Sequence, residues 1–141
     1  MIKKKKIMIG CILVCLFCIV GGYSYVNINQ NKNFSINEIG WSAQTIMWTD
    51  KTKNNVYDIK FQEFDGTELK EISSLKNSYK MKIDSNVEHG DLNIKIYNNS
   101  EVLFEEDGTV DKTISIPNNN EKLKVEINGD NAKGHIKIKL T

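Results

Sequence analysis

From about residue 39 to the end of the chain the apolar period, where strands run, is two rather than 3.6, and that decides the fold class. Tyr57, Ile59 and Phe61 alternate with Asp58 and Lys60, and Tyr79, Met81 and Ile83 with Lys80 and Lys82. Leu92, Ile94 and Ile96 alternate with Asn93 and Lys95, Leu123, Val125 and Ile127 with Lys124 and Glu126, and Ile136, Ile138 and Leu140 with Lys137 and Lys139. Successive strand side chains point to opposite faces, so each run has one apolar and one charged face, as half-buried antiparallel strands do. Ile114 and Ile116 bracket Ser115, and less regular strands fit Ile39 to Thr49, Leu69 to Leu75 and Val102 to Glu105, about nine in all. The pattern predicts an all-β domain, an antiparallel β-sandwich of immunoglobulin-like or jelly-roll-like type, over residues 39–141.

Between the runs lie residues that hairpin turns favour: Asp65-Gly66, His89-Gly90-Asp91, Asn98-Asn99, Asp107-Gly108, Pro117 to Asn120 and Asn128-Gly129-Asp130. The single Pro falls in one of these turns, where its missing N–H removes no ladder bond. Lys on most outward positions discourages edge-to-edge pairing.

The amino-terminal part reads differently. Lys3 to Lys6 form a basic region at residues 1–6, and residues 7–26 form an apolar segment of twenty residues, about 30 Å as a helix, enough to span a bilayer. The positive-inside rule keeps the Lys cluster cytoplasmic and places the rest outside, with Tyr23 and Tyr25 at the outer interface. The expectation is one transmembrane or signal helix in a single-pass cell-membrane protein whose partner through residues 7–26 is the bilayer. The segment's length, and the lack of an Ala-x-Ala site after it, favour a retained anchor. Small residues around Gly21-Gly22 leave open secretion after signal-peptide cleavage, and Gly10-Cys11 leaves open a lipoprotein. Cys11, Cys15 and Cys18 share one helical face and could let two membrane helices approach closely. Residues 27–38, rich in Asn, are expected to be a tether.

No Cys follows residue 18, so the exported domain is held by its core alone. The heavy use of Lys, Asn and Ile, all with A/T-rich codons, reads as the imprint of genome composition. A net charge of +1 leaves no basic excess for a nucleic-acid partner. Setting aside the four amino-terminal Lys leaves 15 Lys against 18 carboxylates, so the exported part carries −3.

Three stretches, Val56 to Glu68, Glu88 to Tyr97 and Ile127 to Ile138, resemble small exported single-domain β-sandwich proteins of Gram-positive bacteria, many of them lipoprotein-like. The resemblance implies a sandwich outside the membrane and supplies no activity.

Candidate chemistry is sparse. His89 lies in a turn and His135 on the outward phase of the last strand, and no Gly-x-Ser-x-Gly elbow, phosphate loop or dinucleotide fingerprint occurs. No catalytic residue and no cofactor are expected. Asp107, Asp111 and Glu105 crowd near one turn and form a weak Ca²⁺ candidate lacking the spacing of a dedicated loop. Trp41 and Trp48 lie in the least regular strand and are candidates for a binding platform, with core packing as the alternative. The expected function is non-enzymatic binding of an envelope protein or wall polysaccharide. The alternatives are a structural or accessory subunit assembled through the amino-terminal helix and, more remotely, a hydrolase of unrecognised type.

Overall fold

The computed structural model describes residues 33–117 and 121–141. The basic region, the apolar segment with Cys11, Cys15 and Cys18, and the tether up to residue 32 lie outside the described residues. Among the described residues no helix is long and apolar enough to cross a membrane.

The elements are β1 (Phe34–Ile46), β2 (Thr49–Asp50), β3 (Val56–Ser74), β4 (Tyr79–Tyr97), β5 (Val102–Asp107), β6 (Val110–Ile116) and β7 (Leu123–Leu140). All pairings are antiparallel, in the order β1-β3-β7-β4-β5, with β2 also on β3 and β6 also on β4. The registers show that β1 and β2 together follow β3 along its length, from Phe34↔Ser74 to Asp50↔Ile59. In the same way β5 and β6 together follow β4, from Tyr97↔Val102 to Tyr79↔Ile116. The domain is therefore five long antiparallel ribbons forming one sheet folded over on itself. One layer holds β2, β6, the first halves of β3 and β4 and the second half of β7; the other holds the remaining halves with β1 and β5. Strands that pass from layer to layer through bends let the single antiparallel sheet close over its own apolar face.

Three of the expected hairpins are corners within continuous strands. Asp65-Gly66 lies inside β3, His89-Gly90-Asp91 inside β4 and Asn128-Gly129-Asp130 inside β7, which merges the nine expected strands into six, and the break after Ile46 divides the expected first strand into β1 and β2, giving seven. Each corner carries a register slip, between Phe61 and Phe64, between Val87 and Asp91, and where Gly129 and Ala132 face Gly66 and Phe64. A slip of one residue reverses which parity points inward. Inward positions thus pass from Tyr57, Ile59 and Phe61 to Phe64, Glu68 and Ile72, and from Leu123, Val125 and Ile127 to Ala132, Ile136 and Ile138, all buried. Glycine suits a hairpin and a corner alike: Gly66 has φ +129°, and a Cβ there would collide with the Ser42 carbonyl of the adjacent strand.

Strand β1 opens at Phe34, inside the stretch expected to be tether. Phe34 packs edge-on against Tyr79 at 5.2 Å, and Ile36 pairs with buried Ile72, which ties the chain down five residues earlier than its composition suggests.

Candidate functional site

Where the sheet folds over, β1 and β2 become facing edges of the two layers, and the inward side chains between them build the candidate site. On β1 the pairings Ile36↔Ile72, Glu38↔Lys70 and Trp41↔Glu68 set the inward positions. Glu38 and Trp41 are three apart, an interval that would normally send them to opposite faces. The bulge between Glu38 and Gly40 absorbs one residue and turns both inward. On β2, Asp50 pairs with Ile59 and so points inward, and Trp48 has the same parity.

The two tryptophans meet across the gap, ring centroids 4.8 Å apart and nearly perpendicular at 83°. Trp48 stacks on Phe61 at 5.8 Å and 18° and lies 5.4 Å from Phe64; Trp41 lies 6.3 Å from Phe64. Phe61 and Phe64 are fully buried, whereas Trp41 is 41% exposed. The pair is thus anchored in the core and open to solvent on one side, so the platform and the packing reading both describe part of it. Beside it, Met47 in the left-handed region (φ 51°) makes the bend between β1 and β2, and it is exposed together with Ile46.

Next to the tryptophans lies a polar cluster that the period of two did not reveal. Glu68 is completely buried and Lys70 nearly so. The Tyr57 hydroxyl donates a short hydrogen bond to Glu68 Oε2. Lys70 Nζ stands 2.9 Å from Glu68 Oε1, off the hydrogen-bond axis, and donates to Asp50 Oδ2 at 3.1 Å and Glu38 Oε2 at 3.4 Å. Burial pushes the Glu68 carboxyl above its ordinary range, against the opposing pull of Tyr57 and Lys70. Burial works against the Lys70 ammonium, but Glu68 and Asp50 together hold its pKa above normal. Asp50 is lowered: burial opposes its charge, and the Thr52 N–H donating to Oδ1 at 2.7 Å, with Lys70, outweighs it. The signal in the sequence was Glu68 and Lys70 sharing parity with Ile72, two charges on an apolar phase.

The remaining candidates lie apart. Glu105 is 3.5 Å from Lys95 and Asp111 is 3.4 Å from Lys82, while Asp107 accepts a hydrogen bond from Asn93 and lines an open cleft of about 460 Å³ with Asp91 and Asp130. Among the described residues no three chelating side chains converge, so Asp107, Asp111 and Glu105 are not brought together around an ion. His89 is exposed at the corner of β4. His135 Nε2 is 2.8 Å from Asp58 Oδ1, and Lys137 is 3.7 Å from the same carboxylate, an outward-facing ion-pair group. The edge combines an aromatic surface with carboxylate acceptors, which suits holding a ligand by stacking and hydrogen bonds.

No protein-family model matches the chain, and no curated protein matches it. Several solved structures are similar to it at low identity. The secreted serine protease VesC from Vibrio cholerae gives a TM-score of 0.49 at 5% identity over 74% of this chain and 25% of that one. CBM35 from Paenibacillus barcinonensis gives 0.41 at 16% identity over 79% and 94%. The C-terminal CBM6 of LamC from Zobellia galactanivorans gives 0.39 at 10% identity over 76% and 99%.

Proposed function

We propose that this chain is a non-catalytic extracytoplasmic module, held at the membrane by residues 7–26, that binds a glycan or wall polymer along the edge between β1 and β2. The observation that carries the reading is the Trp41–Trp48 pair, fixed from below by Phe61 and Phe64 and open on the side flanked by Glu38 and Asp50. An indole face held rigid loses little entropy on stacking against a sugar ring, and adjacent carboxylates accept hydrogen bonds from hydroxyls. Core packing alone does not require Trp41 to be so exposed.

Affinity electrophoresis of the full chain through gels containing purified wall polysaccharide tests the reading. Trp41→Ala is expected to weaken retardation at least tenfold while leaving the unfolding free energy from urea titration within about 1 kcal/mol of the parent, since the side chain is far from fully buried. Equal retardation of both proteins would remove Trp41 from the site.

A second reading, an accessory subunit, is favoured by the side of β1 that pairs with no strand among the described residues. That edge strand is 13 residues long with Glu38 as its single charge, and exposed Ile39 and Ile46 leave it open to strand addition by a protein partner.

A further inference from the structure

The edge has an imbalance of charge that names its ligand more closely. Glu38, Asp50 and Glu68 surround one ammonium, that of Lys70, which is the one cation within ion-pair distance of any of them among the described residues. The cluster is two negative charges in excess. The excess lies at its mouth: Glu38 is half exposed, has the longest of the three contacts with Lys70 at 3.4 Å, and its Oε1 has no hydrogen-bond or ion-pair partner among the described residues. Trp41 is the next inward position on the same strand, roughly 7 Å away at the ordinary strand rise.

Resting on the glycan-binding reading, we infer that the site selects a glycan carrying free, unacetylated amino groups, with a pyranose ring on Trp41 and its ammonium at Glu38. An aminopyranose unit presents an apolar C–H face and a cation about one ring width apart, which matches an indole and a carboxylate at neighbouring positions. A neutral sugar offers the Glu38 carboxylate hydroxyl hydrogen bonds but no opposite charge, and an anionic polymer would be repelled. A cation beside an indole gains further from the ring quadrupole.

The test compares glucosamine tetrasaccharide with its fully N-acetylated counterpart, the same rings differing in charge, by titration calorimetry on the full chain in detergent micelles at low and high salt. The expected result is at least tenfold tighter binding of the amino form, a difference that shrinks with salt and is abolished in Glu38→Gln. That side chain is exposed, so the variant keeps the fold, checked by an unchanged urea midpoint. Equal binding of the two sugars, with loss of both in Trp41→Ala, would overturn the ammonium inference and leave the glycan reading standing. Binding of neither would overturn both. Binding of trilysine as tightly as the amino sugar would overturn the choice of a glycan.

Discussion

Lys70 is the residue on which the edge of this sandwich depends. Its ammonium is the shared partner of a fully buried carboxylate and two partly exposed ones. Removing one member of a buried charge group leaves the rest uncompensated, which typically costs 3–5 kcal/mol. Lys70→Met, of similar length, is therefore expected to lower unfolding free energy by about 3 kcal/mol in urea titration. The double variant Lys70→Met/Glu68→Gln should recover more than about 1 kcal/mol of that, because the substituted amide buries no charge and still accepts from the Tyr57 hydroxyl. A Lys70→Met protein as stable as the parent would mean that solvent, not Lys70, stabilises Glu68. The tryptophans were legible in the sequence as an unusual pair, but Glu38 and Asp50 were not. A charged residue in an irregular strand carries no sign of which face it takes until the bulge is known.

The bulge on β1 acts at the scale of the element. It reconciles an odd interval between Glu38 and Trp41 with a common inward face, and Ile39, the absorbed residue, is 46% exposed. Deleting Ile39 leaves Glu38, Gly40 and Trp41 opposite Lys70, Leu69 and Glu68 in a regular ladder. The deletion is expected to keep the tryptophan emission spectrum and to change stability by no more than about 1 kcal/mol, within the ordinary range of exposed changes. Deleting Ser42 instead, an outward residue in the regular part, reverses parity between Trp41 and Ala43, so red-shifted emission and a clear loss of stability should follow. The opposite ranking would show that the edge is not set by this register. The same physics marks how far the elements could be read. Every alternating run became a stretch of buried strand, and all-β antiparallel architecture follows from them. Which runs join end to end was hidden, because a Gly-containing slip and a Gly-containing hairpin both interrupt the period of two. The Asp65-Gly66 and Asn128-Gly129 signals were read as turns for that reason, and only pairing across β3 and β7 distinguishes the two.

At the scale of the whole molecule, folding over brings ionisable groups from distant ribbons into the core, and their titration becomes a property of the fold. Burial raises the Tyr57 phenol well above 10.0, reinforced by the Glu68 charge, and raises Tyr79 to about 12. Lys70 is raised above 10.5 despite burial. In the unfolded chain the phenols lose their protons near pH 10, while the folded protein keeps them, so the unfolded state binds fewer protons and stability falls as pH rises. The ammonium acts with the same sign: its contribution is complete below 10.5 and is lost as pH climbs through the folded value. All three effects therefore fall in one window that opens near pH 10. Urea midpoints are expected to be flat between about pH 8 and 9 and to drop steadily above about 10, with an unchanged slope of unfolding free energy against urea. Phenolate absorbance should show Tyr57 and Tyr79 ionising together with loss of structure rather than before it. Tyr79→Phe should make the alkaline drop shallower, because half-buried Tyr79 then no longer ionises on unfolding. A phenolate that appears in the folded protein at pH 10 and is missing in Tyr57→Phe, with no change in midpoint, would show that the space between the two layers is open to solvent where Tyr57 meets Glu68.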